Sequence, residues 1–187
     1  MGAKKGDEMT IIVEDGTGRS NSETYASVAQ FKSYCDARGL SYGSATDAEI
    51  EQSLRRSATW LDATYRTRFT GYRTKLRLQA LEWPRTNAHD NAPLVTYIDT
   101  DAIPIEIINA CIEAAVREKA SPGALSPDVT PGQIKKSVAV EGAVSVEYAL
   151  GTGGVQDQRP VVSVINDILG SLLATRGPVL SGTVVRG

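Results

Sequence analysis

Thr46-Asp47-Ala48-Glu49 heads the stretch that most restricts how this chain can fold. It is a capping box, in which the Thr hydroxyl and the Glu carboxylate each satisfy a backbone N–H left free at a helix start. Ile50, Leu54, Ala58, Leu61, Tyr65 and Phe69 then recur every three or four residues, which predicts a helix of about five turns with one apolar stripe. That stripe demands a partner surface. After a turn at Gly71, Leu76, Ala80, Leu81 and Trp83 form a shorter periodic run. It reads as a second helix, stopped at Pro84 where the ring removes a donor.

Composition limits how many such surfaces one chain can cover. With 187 residues, 41% hydrophobic and 22% charged, there is material for one medium core rather than two. No apolar run approaches the ~18 residues of a membrane span, and Met1 to Glu8 lacks the apolar segment of a signal peptide. A soluble, intracellular product without membrane partners is expected. The net charge of −2 argues against a general nucleic-acid binder, yet eight basic residues stand against two acidic ones between Arg55 and Arg85. A basic patch is expected there.

Chemistry-bearing motifs are sparse. Cys35 and Cys111 lack metal-ligand spacing and read as buried thiols, and His89, the one histidine, lies in polar surroundings. Asp15-Gly16-Thr17-Gly18 reads as a plain turn, and Gly151-Thr152-Gly153-Gly154 as a linker, since no Lys-Ser or Lys-Thr follows. No convergent acid, base and nucleophile can be assembled, so no enzyme activity, cofactor or metal is expected. Trp60 and Trp83 could stack on the bases of a single strand. Packing against the helical core is the preferred reading, because Trp83 ends an apolar stripe and Trp60 flanks one.

In chain order, residues 1–9 form a flexible extension, and Thr10 to Val13 a short strand in search of an edge. Ser27-Val28-Ala29-Gln30 is a second capping box, starting a helix that turns Val28, Phe31, Tyr34 and Cys35 inward and ends at Gly39. Thr86 to Asp101 reads as a surface loop. Pro104 opens a helix whose buried stripe is Ile105, Ile108, Cys111, Ile112 and Ala115. Prolines 122, 127 and 131 mark a linker, and the alternation from Lys136 to Leu150 predicts a hairpin reversing at Gly142. A final helix begins at Pro160, and Val179 to Gly187 reads as an extended arm. The expected fold is mainly α, a small helical bundle with a β-hairpin and extended N- and C-terminal arms. Its parts are 1–9, a helical core over 10–122, linker and hairpin over 123–155, and a C-terminal helix with arm over 156–187.

Several segments together carry a family resemblance over about residues 9–150. They are Val13-Glu14-Asp15-Gly16-Thr17-Gly18, Thr24-Tyr25-Ala26-Ser27-Val28-Ala29, Ala37-Arg38-Gly39-Leu40, Ala58 to Tyr65, Gln79-Ala80-Leu81-Glu82-Trp83-Pro84-Arg85 and Ile103-Pro104. In this order the chain resembles the head-to-tail connector or adaptor proteins of tailed bacteriophages, a group also labelled DnaT-like single-stranded-DNA-binding proteins. The resemblance implies a structural virion protein at the head-tail junction, made in the host cytoplasm. Twelve copies would form a ring under the portal protein, join it to a tail or nozzle protein and help retain packaged DNA.

On that reading the hairpin residues Val138, Val140, Val144, Val146 and Tyr148 are expected at subunit contacts. Val179, Leu180, Val184, Val185 and Arg186 are expected to dock on the portal or a neighbouring subunit. The alternative is a single-stranded-DNA-binding replication accessory, in which Arg55, Arg56, Arg66 and Arg73 touch DNA or another acidic partner.

Overall fold

Both capping boxes form as the sequence spacing requires. In the computed structural model, the described residues are 11–92, 94–128, the strands 137–140 and 143–147, and 161–174. Helix α1 is Val28–Arg38, where Ser27 Oγ accepts from Gln30 N and the Gln30 side chain accepts from Ser27 N. It ends at Gly39, whose φ of 64° lets Leu40 N reach back to Cys35 O at 2.9 Å. Helix α2 is Asp47–Tyr65, capped by Thr46 and Glu49 in the same way.

Helix α2 is the spine of the core. Ile50, Leu54, Ala58, Leu61 and Tyr65 are buried along it, and helix α3, Ile105–Ala120, packs across that face. Small residues allow the approach: Ser57 Oγ lies 3.2 Å from Cys111 Sγ, and Ala110, Ala114 and Ala115 are fully buried. Helix α4, Ser163–Leu169, continues as a 3-10 turn over Gly170–Leu172 and rests on α3 through Ile165 and Leu169. The small, mainly helical fold is therefore as expected.

Five details depart from the sequence reading. Leu76 to Trp83 holds only a 3-10 turn, Leu76–Leu78, because Leu76 takes a φ of 52° and the Gln79 side chain occupies the backbone groups that a helix would use. Gln79 accepts from Lys75 N and donates to the carbonyls of Leu81 and Pro84. The stretch is instead framed by a two-stranded hairpin, β1 (Tyr72–Arg73) with β2 (Arg85–Thr86). The expected loop 86–101 carries a further pair, β3 (His89–Asp90) with β4 (Thr96–Tyr97).

On α3 the buried stripe runs through Ile107, Ala110, Cys111 and Ala114, leaving Ile105 exposed. Of the expected stripe, Cys111, Ile112 and Ala115 are buried and Ile108 packs against the core, so the departure is confined to Ile105 in the first turn, where Ile107 takes the inward position. Of the strand expected at Thr10 to Val13, the described residues hold one bridge, Val13 with Thr24, flanked by hydrogen bonds from Glu14 N to Thr24 O and from Glu23 N to Ile12 O. Its edge is met inside the chain. The last helix begins at Ser163, not at Pro160.

The hairpin of the sequence reading is present as β5 (Ser137–Val140) and β6 (Ala143–Glu147), with Val138 opposite Val146. Tyr148, the N-terminal extension 1–9 and the arm holding Val179, Leu180, Val184, Val185 and Arg186 lie outside the described residues.

Candidate nucleic-acid interface

The eight basic residues between Arg55 and Arg85 divide by what their charges already do. Arg55 Nε is 2.8 Å from Glu23 Oε1 and its Nη1 3.4 Å from Glu51 Oε2. Arg56 Nε is 3.0 Å from Glu118 Oε2, a buried carboxylate that also accepts from Gly123 N and Leu125 N. Each arginine thus meets a carboxylate from another part of the chain, Arg55 that of Glu23 before α1 and Arg56 that of Glu118 on α3. Arg85 is buried, donates to Thr70 O and Gly71 O, and pairs with Glu82 at 2.9 Å. Burial lowers its proton affinity, and the Glu82 carboxylate opposes that shift.

Arg66, Arg68, Arg73, Lys75 and Arg77 pair with no carboxylate among the described residues. Three of them meet in one groove of about 440 Å³, lined by Arg66 and Thr67 from the end of α2, Tyr72 and Arg73 from β1, and Leu76 and Arg77 from the turn beyond. Its one acidic lining residue, Glu82, is the partner of Arg85. Tyr72 is 50% exposed and Leu76 62%. The groove thus offers cations, an aromatic face and an apolar shelf together, the combination by which a surface holds a phosphate backbone and stacks a base. The C-terminal dipole of α2 accounts for Arg66 and Arg68 near its end, but not for Arg73 and Arg77 on β1 and beyond.

The groove is braced from beneath. Asp62, buried on α2, accepts from the Tyr25 phenol at 2.7 Å and from Glu82 N at 2.9 Å, and Tyr25 Oη in turn accepts from Trp83 N. Burial pushes the Asp62 carboxyl up to about 7, against the hydrogen bonds that favour its charged form, and pushes the Tyr25 phenol well above its usual range. From the N-terminal side, Glu14 accepts from Gly16 N, Gly18 N, Arg19 N and Ser22 Oγ, and Arg19 O accepts from Ala80 N. Gly18 packs so closely on Lys75 that a Cβ there would meet its side chain at 2.8 Å.

Neither tryptophan faces the groove as a stacking platform. Trp83 is fully buried edge-on to Phe69, and Trp60 is 6% exposed against Tyr65, so packing explains both. Tyr72 supplies the exposed ring, and the signal for it was available as an aromatic flanked by Gly71 and Arg73 in a basic stretch. His89 sits edge-on to Tyr97, and its backbone exchanges hydrogen bonds with Thr70 Oγ1. Cys111 and Cys35 are buried, with burial raising both thiols, Cys35 to about 11. No helix among the described residues is long and apolar enough to cross a membrane.

Residues 9–187 match the model of the family described as "Putative DnaT-like ssDNA binding protein". The chain belongs to this family. No curated protein and no solved structure matches it. Membership of the DnaT-like family overturns the expectation of a head-to-tail adaptor, with its portal, its tail or nozzle partner and its twelve-membered ring. That expectation leaned on edges left open for neighbouring subunits, and the N-terminal edge is closed by Thr24 within the chain.

Proposed function

We propose that this protein binds single-stranded DNA without base-specific readout, through the groove of Arg66, Tyr72, Arg73 and Arg77. The observation that carries the reading is the half-exposed Tyr72 ring beside Arg66, Arg73 and Arg77, which no carboxylate among the described residues neutralises. Family membership supports it. A single strand presents unpaired bases as well as phosphates, so it satisfies both the ring and the guanidinium groups.

The overall charge of −2 makes the field of the groove local. Affinity is then set by a few direct contacts and falls with salt. A lining chiefly of arginines and one exposed ring suits phosphates and a base face, which every nucleotide presents, so sequence preference is weak.

Fluorescence anisotropy with a labelled oligothymidylate, titrated over a range of salt, tests this. Each phosphate contact contributes about 0.7 to the slope of log K against log salt on a single strand, so Arg73→Ala with Arg77→Ala lowers the slope by about 1.4. Arg55→Ala leaves it unchanged. Equal effects at both places would sink the assignment of the groove.

A further inference from the structure

The next step rests on the single-strand reading and extends its site. The groove does not stop at Arg66. On the other side of that residue a second depression, of about 370 Å³, lies between the end of α2 and α4, and Arg66 and Thr67 line both. Tyr65, Arg68, Val161 and Asn166 are among its other walls. Arg68 pairs with no carboxylate among the described residues, and its guanidinium lies 5.4 Å from the centroid of the Tyr65 ring. Asn166 Oδ1 accepts from the Tyr65 phenol at 2.7 Å, while its amide nitrogen has no acceptor among the described residues. Val161, 80% exposed, gives this side an apolar rim.

The backbone here is fixed in advance. Ala174 N donates to Arg68 O at 2.7 Å, Thr70 N donates to Leu172 O, and Phe69 bridges antiparallel to Leu173. A cation mounted on pinned backbone loses little entropy when a phosphate arrives. The arginines of the first groove are mounted alike, Arg73 opposite Arg85 in the β1–β2 pair.

We infer that both depressions form one track, along which a single strand passes Arg77, Arg73, Arg66 and Arg68 in turn, turning around the end of α2. Two separate polyanions would crowd their charges at the shared Arg66, whereas one phosphodiester backbone delivers phosphates continuously to both sides. A duplex is excluded by stiffness: its persistence length of about 150 base pairs does not let it wrap one helix end, whose width with side chains is about 10–12 Å.

The test uses the full chain and oligothymidylates of about three and about twelve nucleotides, lengths bracketing the smaller single-strand sites. Arg68→Ala is expected to weaken the long oligomer about tenfold and the short one much less, and to lower the salt slope for the long one by about 0.7. Arg68→Gln, which removes the charge but keeps a polar side chain beside Tyr65, should reproduce the loss with an unchanged melting temperature. If both variants bind the long oligomer as tightly as the unaltered protein while Arg73→Ala still weakens it, the track is overturned and the first groove alone remains. If the unaltered protein binds neither oligomer, the single-strand reading itself falls.

Discussion

The phenol of Tyr25 donates to the carboxylate of Asp62 across 2.7 Å, tying the segment before α1 to the last turn of the spine helix. Asp62 uses its other oxygen on Glu82 N, and Tyr25 accepts from Trp83 N, so two buried polar groups fasten the loop that carries the basic groove.

This pair gives folding stability a pH dependence of unusual sign. The folded-state pKa of Asp62, about 7, lies above its ordinary 3.8, so between those values the native state holds the extra proton and stability falls as pH rises. The interval sets a ceiling of roughly 4 kcal/mol. The depressed carboxylates Asp15, Glu23 and Glu49 act in the opposite direction, but from 4.5 downward, so the window from about pH 5 to 7 belongs to Asp62. Urea denaturation across that window should show stability declining, and Asp62→Asn should flatten the curve.

Thr46→Ala removes the hydroxyl that accepts from Glu49 N and abolishes the capping box of α2. The loss is expected to be about 1 kcal/mol by chemical denaturation. DNA affinity should be retained, because the cap lies at the opposite end of the helix from Arg66.

Gly71 holds a φ of 66°, and a Cβ there would lie 2.3 Å from Thr86 O. Gly71→Ala therefore forces apart the β1–β2 pair that carries Arg73. Destabilisation by more than about 1 kcal/mol is expected, with a parallel loss of oligonucleotide binding. A variant that melts normally and binds normally would contradict the hairpin register.

Tyr72 and Trp83 separate stacking from packing. Tyr72→Ala is expected to cost about 1–3 kcal/mol of oligonucleotide affinity with little change in melting temperature, and Tyr72→Phe to restore most of it. Trp83→Phe should do the reverse, lowering the melting temperature while leaving affinity at the original value, since the indole is fully buried against Phe69.

The helical frame was legible because its signals are local. Ser27 with Gln30, Thr46 with Glu49 and the glycine at 39 fix ends within three or four residues, and the α2 stripe gives its inward face directly. From Arg66 to Asp101 the determinants are distant in sequence or run from side chain to backbone. Arg85 donates back to Thr70 O, Gln79 stands in for helical partners, and Thr74 Oγ1 donates to Thr100 O. The periodicity of Leu76, Ala80, Leu81 and Trp83 was real but carried no helix.

The site followed the same rule. A basic stretch was visible, but which arginines stay available depends on Glu23, Glu51 and Glu118, and Glu23 and Glu118 are brought to α2 by other parts of the chain. Arg66 and Arg73 were named from the basic stretch, and it is the fold that sets Arg77 and Tyr72 beside them in one groove and Arg68 in the next.

The bridge between Phe69 and Leu173 bears on the order of events at the ribosome. Arg66 to Phe69 are first held by hydrogen bonds to Asp62 O and Tyr65 O of α2, and Leu172 and Ala174 add theirs to Thr70 N and Arg68 O only after about a hundred further residues are made. Since chain segments fold as they emerge, a nascent chain can settle α1, α2 and α3 against one another while the basic end of α2 still lacks its final support. The proposed track is thereby complete only once synthesis has passed residue 174, and a product ended before it lacks the contacts of Leu172 and Ala174 with Thr70 and Arg68.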